Sequence, residues 1–123
     1  MAFLTDRKIA SGLGSAKTGT EHHWNMTVTS VALIILVPFF LFTFGPMLGE
    51  EHAEVVAYFE RPFPALIAIL TIAVSFYHFA HGIRAVIEDY SHGLTRKLLI
   101  ILMTCISYGA AAAGIFAVLR MAL

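Results

Sequence analysis

Long apolar runs separated by short polar segments are the main feature of this sequence. Residues 24–49, 62–83 and 98–119 contain no Asp, Glu, Lys or Arg. A helix needs about 20 predominantly apolar residues to cross the hydrocarbon core of a bilayer. The pattern therefore predicts an all-α integral membrane protein with three transmembrane helices, at about residues 25–48, 63–88 and 95–121.

The segments outside these helices are short. Residues 1–24 are polar and glycine-containing, and we expect them to be irregular, whereas residues 25–123 form the transmembrane domain. The segment between the first two runs predicts a short amphipathic turn, and Ser91, His92 and Gly93 predict a tight turn before the third helix, with Thr95 as its N-cap. No room is left for a soluble catalytic domain, so any chemistry depends on residues in or beside the helices.

Composition and charge add an orientation to this picture. Only 13% of the residues are charged and 59% are hydrophobic, whereas soluble domains carry about 25% charge. Of the eight basic residues, all except Arg61 and Arg120 fall on the same side of the membrane as the N-terminus. Because Lys and Arg are enriched in cytoplasmic segments, the N-terminus is predicted to be cytoplasmic and the C-terminus periplasmic.

Ionisable residues at the end of the second run are the first candidates for function. The stretch SFYHFAHGIRAVIEDYSHG, residues 75–93, contains three histidines, an arginine and two acids, and such residues are costly within a membrane. At 3.6 residues per turn, small and polar residues form one stripe along this helix. The stripe consists of Thr71, Ser75, His78, Gly82, Ala85 and Asp89.

His78 is the ionisable residue of this stripe that lies near the middle of the predicted membrane. It precedes Glu88 by about ten residues, which places it roughly 15 Å from the membrane surface, near the middle of the core. An imidazole there could form a hydrogen bond to a neighbouring helix, relay protons or bind a metal such as haem iron. Gly82 and Ala85 would leave space beside it for a flat macrocycle.

Two neighbours of His78 could assist a haem. His81, one turn nearer the surface, could approach a propionate or line a polar channel. Arg84 could extend to the surface or pair with an anion such as a propionate. Because His78 is the one histidine at mid-membrane depth, a second axial ligand has to come from another chain, so the sequence indicates a hetero-oligomer.

Asp89 and Tyr90 end the second helix at the predicted cytoplasmic surface. A tyrosine at this depth is typical of an interfacial belt, and the acid beside it could simply be solvated. Alternatively, Tyr90 could donate a hydrogen bond to a quinone carbonyl, and Asp89 could orient the phenol or relay protons. Both interpretations are compatible with the composition of the segment.

The third helix carries two pairs of small residues at a spacing of four. These are Gly109 with Ala113 and Ala110 with Gly114. Such pairs let helix backbones approach closely in lipid. We expect them to serve packing within one helical bundle.

The pattern His78-x3-Gly82-x6-Asp89-Tyr90 resembles the motif of the small hydrophobic membrane-anchor subunit of succinate dehydrogenase, respiratory complex II. The resemblance covers about residues 20–120 and includes the three helices and a histidine just before the first of them. The stretch GSAKTGTEHHW is similar to the lead-in of bacterial members close to the mitochondrial lineage. The fold implied is the same three-helix anchor that the hydrophobic pattern predicts.

The resemblance also implies a function, as a non-catalytic anchor of an oxidoreductase in the bacterial inner membrane. A second membrane anchor, the flavoprotein and the iron–sulfur protein of the complex would be its partners. Electrons from succinate would pass through FAD and iron–sulfur clusters on those partners to ubiquinone. His78 would be one axial ligand of haem b, with Gly82 giving the porphyrin room, and Tyr90 with Asp89 would bind ubiquinone.

One departure from the family pattern concerns the haem propionates. Some relatives have an arginine in the first turns of the first helix, where this chain reads HHWNMTVTSV. The alternatives for contacting the propionates in this chain are His22, His23, His81 and Arg84.

Two other functions remain open from the residues alone. One is a small transporter or channel subunit that uses His78, His81 and Asp89 as a relay, and the other is a structural assembly factor.

Overall fold

The computed structural model describes residues 5–10 and 20–123, and every element in this part of the chain is helical. A short helix, α1 (Asp6–Ala10), precedes the long helix α2 (Glu21–Phe44), which continues into a 3-10 turn (Gly45–Met47). The remaining helices are α3 (His52–Phe59), α4 (Pro62–Tyr90) and α5 (Gly93–Ala122). The expectation of an irregular N-terminal segment is wrong for α1, and residues 1–4 and 11–19 lie outside the described residues.

Three of these helical segments are long and apolar enough to cross a membrane, as the sequence predicted. They are Glu21–Met47, Pro62–Tyr90 and Gly93–Ala122 within the described ranges. All three begin earlier than predicted, the first by four residues, since α2 starts at Glu21 rather than at about residue 25. The prediction followed hydrophobicity, whereas backbone hydrogen bonding continues into the polar residues, as the 2.8 Å bond from Trp24 N to Thr20 O illustrates.

The connections explain where the helices start and stop. Arg61 is extended and Pro62 occupies the first turn of α4. Proline lacks a backbone N–H, but in the first turn an N–H would have no hydrogen-bond acceptor within the helix. Between α4 and α5, Ser91 and His92 are extended, and Gly93 has a φ of 62°, a left-handed conformation that favours glycine. The turn at these residues is confirmed, but the N-cap of α5 is His92 and not Thr95.

The helix α4 is the centre of the molecule. Both α2 and α5 pack extensively against it, and α3 packs against α4 and α5. A hydrophobic cluster of Phe59, Ala65, Ala68 and Val118 lies where α3, the start of α4 and the end of α5 meet. We call this the α3 end of the molecule, and the opposite end, at Ser91–His92, the turn end.

The segment between α2 and α4 is helical, in agreement with the predicted amphipathic turn. Phe59 of α3 is almost fully buried, whereas the acidic residues of this segment are exposed. A hydrogen bond with Glu50 and the negative charge of that residue raise the pKa of the Glu54 carboxyl above its ordinary value. The acids thus form a polar surface over the apolar cluster at the α3 end.

Candidate functional site

His78 faces α2. Its Nδ1 atom lies 2.8 Å from Oγ1 of Thr29, which makes a hydrogen bond between the two helices. Thr29 belongs to the face of α2 that is turned toward α4, and both side chains are partly buried. Of the three roles considered for a mid-membrane imidazole, the hydrogen bond to a neighbouring helix is therefore present. That bond uses one ring nitrogen, and no other side chain in the described residues bonds to the ring.

Thr29 also bonds to the backbone of its own helix. Its Oγ1 is 2.8 Å from the carbonyl oxygen of Asn25 and 3.1 Å from that of Met26. A threonine within a helix commonly forms such bonds to the preceding turn. The hydroxyl is therefore fixed by backbone on one side and by His78 on the other.

Gly82 lies one turn from His78, and the packing of this chain does not require a glycine there. A Cβ atom built on Gly82 would have one neighbour, the flexible Met26 side chain, with its Cε at 3.7 Å, which is an ordinary van der Waals contact. Glycine within a helix costs about 1 kcal/mol relative to alanine. The packing of the described residues therefore does not explain why this position is a glycine.

The predicted polar stripe of α4 is buried along only part of its length. Thr71 is buried and donates to the carbonyl of Ile67, and the next three members are partly buried. Ala85 and Asp89 are exposed. The prediction of an inward face is thus correct for the α3 half of the helix and wrong near the turn end, because α2 and α5 leave the last turns of that stripe uncovered in this chain.

His81 belongs to a small ring cluster at the turn end. Its Nδ1 is 2.9 Å from the carbonyl oxygen of Tyr77, and its ring centroid is 4.2 Å from that of Tyr77. The ring of His22, at the start of α2, stacks on it with centroids 5.9 Å apart. Two of the four predicted propionate-binding alternatives, His22 and His81, are therefore neighbours in space, on the membrane-surface side of His78.

Arg84 has a partner that was not among the predictions. Its Nε lies 2.8 Å from Oε1 of Glu88, one turn further along α4, in an exposed ion pair. Such i,i+4 pairs are worth only a few tenths of a kcal/mol, so the guanidinium can exchange this partner for another anion at little cost. Arg84 also borders a cleft of about 160 Å³ between α4 and α5. The cleft is lined by Ala80, His81, Arg84, Ile100, Thr104 and Tyr108.

Asp89 and Tyr90 are freely accessible at the turn end. Tyr90 is 84% exposed, and Asp89 is exposed beside it. In residues 5–10 and 20–123 neither side chain has a hydrogen-bond partner in the structure. The pair is therefore available to a ligand or to a partner chain, and this chain alone does not enclose it.

These positions limit what the chain can do by itself. The described residues contain no group of three or more His, Cys, Asp and Glu side chains arranged to hold a metal ion. Hydrogen bonds do not connect His78, His81 and Asp89, because the first histidine bonds to Thr29 and the second to Tyr77. The arrangement can offer one imidazole nitrogen to an iron ion, and it does not form a continuous proton relay within the described chain.

Comparison with known proteins identifies the family. The model of the succinate dehydrogenase/fumarate reductase transmembrane subunit family matches residues 5–114. The chain belongs to this family. The resemblance to succinate dehydrogenase membrane anchors that the His78–Tyr90 motif indicated is thereby confirmed, and the three apolar helices agree with a multi-pass membrane protein.

Individual members of the family are similar over most of their length. A succinate dehydrogenase hydrophobic membrane anchor subunit of Paracoccus denitrificans is 46% identical over 123 residues, which cover 100% of this chain and 95% of that protein. The protein of the same description from Rickettsia typhi is 33% identical over 90 residues, 71% of each chain. No solved structure matches the chain at a significant level.

Thr29 is the site residue that sequence reasoning missed. It lies in the charge-free run of the first helix, where Thr27, Thr29 and Ser30 are all mildly polar and none is distinguished from the others. Their spacing does not reveal which hydroxyl meets His78, because that depends on the rotation of α2 relative to α4. The Arg84–Glu88 pair, in contrast, could have been recognised from its i,i+4 spacing.

Proposed function

We propose that this chain is the membrane anchor of a bacterial succinate dehydrogenase and contributes His78 as one axial ligand of haem b. The complex would carry electrons from succinate to ubiquinone, and so link the tricarboxylic acid cycle to the respiratory chain. The observation that carries the proposal is the contact of the His78 ring, whose Nδ1 lies 2.8 Å from Oγ1 of Thr29, near the middle of the apolar helix α4. Nε2 is then the nitrogen available to iron.

The residues around His78 fit a haem. Gly82 leaves the helix without a side chain one turn away, and the Met26 side chain that lies over it is flexible. His22 and His81, with Arg84 one turn further, provide donors for propionates on the membrane-surface side. When bound, haem b supplies a one-electron redox centre. This chain's part would be to hold the iron from one side and to orient the macrocycle.

The second axial ligand would come from the other membrane anchor of the complex. The described residues contain no group of three or more metal-ligating side chains, and the single imidazole of His78 would be half of a shared axial pair. The flavoprotein and the iron–sulfur protein would carry the FAD and the iron–sulfur clusters. They would dock at the turn end, which the distribution of basic residues predicts to be cytoplasmic.

Ubiquinone would bind at the same end. The exposed phenol of Tyr90 can donate a hydrogen bond to a quinone carbonyl, and Asp89 can accept or deliver a proton beside it. Because both groups lie at the end of a membrane helix, a quinone can reach them from the lipid while its electrons arrive from the cytoplasmic partners. The site would be completed by residues of those partners.

A reduced-minus-oxidised optical spectrum of the purified complex tests the haem assignment. We expect His78→Ala to abolish the b-type absorption, because the iron loses an axial ligand. His52→Ala is the matched control, since this exposed histidine lies at the α3 end, and it should leave the spectrum unchanged. A normal spectrum in His78→Ala would remove His78 as the ligand and with it the proposed haem role.

A further inference from the structure

We propose that Thr29 is the positioning residue of His78, and that its hydroxyl accepts the Nδ1 proton of the imidazole so that Nε2 presents its lone pair to haem iron. The inference rests on the proposed function of His78 as a haem ligand. It extends that function to a residue on another helix that does not itself touch the iron. Thr29 would select the tautomer of His78 and also fix the direction of its ring.

The number of protons available decides the direction of the hydrogen bond. A threonine hydroxyl has one hydrogen, and Thr29 Oγ1 lies 2.8 Å and 3.1 Å from two backbone carbonyl oxygens. Carbonyl oxygens can only accept hydrogen bonds. If the hydroxyl donates to the carbonyl of Asn25 or Met26, its oxygen is left to accept, and the atom 2.8 Å away, Nδ1 of His78, must then be the donor.

The opposite direction would prevent iron binding. If Thr29 donated to Nδ1, the single proton of the neutral imidazole would lie on Nε2, and that nitrogen would have no lone pair for a metal. In that arrangement the carbonyls of Asn25 and Met26 would also lose the hydroxyl hydrogen. The backbone acceptors of α2 therefore favour the one tautomer of His78 that can act as a ligand.

A hydrogen bond from the ring nitrogen that does not bind the metal also changes the electronic character of a histidine ligand. Metal-binding histidines generally donate this N–H to an oxygen acceptor, which orients the ring and raises its basicity. A more basic imidazole stabilises ferric relative to ferrous iron, so it lowers the reduction potential of the haem. Removal of the Thr29 hydroxyl should therefore raise that potential.

The same helix provides a matched control for this substitution. Thr43 makes the same pair of bonds as Thr29, from Oγ1 to the carbonyls of Phe39 at 2.9 Å and Phe40 at 3.1 Å. It lies at the α3 end of α2, and no histidine in the described residues contacts its hydroxyl. Thr43→Val thus removes a hydroxyl with equivalent backbone bonds and leaves His78 untouched.

The experiment measures three quantities in the purified complex. They are the midpoint potential of haem b from a redox titration, the g-values of the ferric haem from electron paramagnetic resonance, and the ratio of haem to protein. We expect Thr29→Val to raise the midpoint potential, to shift the g-values and to weaken haem retention by about 10- to 100-fold. Thr29→Ser, which keeps the hydroxyl, should restore all three quantities. Thr43→Val should leave them at their original values.

The results separate this inference from the function on which it rests. If His78→Ala loses haem while Thr29→Val keeps the original potential, g-values and haem content, Thr29 has no positioning role and His78 remains the ligand. If His78→Ala keeps a normal haem, both fail. Should Thr29→Val not assemble, Thr29→Ala removes the same hydroxyl with a smaller side chain that has no β-branch, and the same measurements apply.

Discussion

Tyr90 is the most accessible of the four tyrosines. It is 84% exposed, whereas Tyr108 is 47% exposed and the other two are partly buried. A phenol at the end of a membrane helix is amphipathic, and exposure alone would suit an interfacial anchor. The proposed quinone role therefore depends on the hydroxyl rather than on the ring, and the two roles can be separated by removing that one atom.

Tyr90→Phe is expected to lower ubiquinone reduction by the complex by about 100-fold or more, because a positioned proton donor contributes about 10²- to 10⁴-fold to a reaction. Succinate oxidation with an artificial acceptor should remain unchanged, since it does not use the quinone site. Steady-state assays with the two acceptors measure both. Tyr58→Phe, at the α3 end, is the control, and equal quinone rates in both variants would make Tyr90 an interfacial anchor.

At this scale the depth of His78 in the membrane remains a prediction, and the surroundings of its ring were not predicted. Depth follows from counting residues along one helix at a fixed rise. The contact with Thr29, the stacking of His22 on His81 and the exposure of Asp89 depend on how α2 and α5 are rotated and tilted against α4. That information is spread over many apolar contacts that have no short-range pattern in the sequence.

The helix α5 presents its two small-residue pairs to different surroundings. A Cβ atom built on Gly114 would lie 3.3 Å from two carbons of Ile72 on α4, which is a close helix contact, whereas nothing lies within 4 Å of one built on Gly109. The expectation that both pairs serve packing within one bundle is thus correct for Ala110–Gly114. It is wrong for Gly109–Ala113 within this chain, because both residues are exposed.

Leucine at these two glycines should therefore have opposite effects. Gly114→Leu is expected to destabilise the chain by about 1–3 kcal/mol, because the side chain would be forced against Ile72. Gly109→Leu is the matched control, since it brings the same gain in helix propensity without that clash. Unfolding of each chain in detergent micelles, followed by circular dichroism, measures the difference. Equal stability of the two variants would contradict the close α4–α5 contact.

The whole molecule is polarised between its two ends. Antiparallel packing brings Arg61 and Arg120 to the α3 end, together with the acidic segment that precedes α3, while Arg84, Arg96 and Lys97 lie toward the turn end. The number of spans and the fold class could be predicted from hydrophobicity alone, because the bilayer fixes the length of an apolar helix. Orientation rests on the basic residues, and it remains a prediction.

Reporter fusions test the orientation directly. Alkaline phosphatase fused after Leu123 or within residues 48–51 should be active, because both sites are predicted to be periplasmic, and green fluorescent protein fused there should be dark. The reverse pattern is expected for fusions after His92, which serve as the internal control. Phosphatase activity after His92 together with fluorescence at Leu123 would show the inverted topology. The proposed quinone site would then lie on the opposite side of the membrane from cytoplasmic partners.

The packed interior of α4 is unevenly distributed along its length. Of its seven buried residues, five lie between residues 64 and 71, and only Ala80 and Ile87 are buried nearer the turn end. Regions with few buried contacts open locally at lower free energy than well-packed ones. The half of the protein that carries His78 and Tyr90 thus has few buried contacts of its own to keep it rigid. Under the proposed function, neighbouring chains would supply that rigidity, and haem loading would be coupled to assembly of the complex.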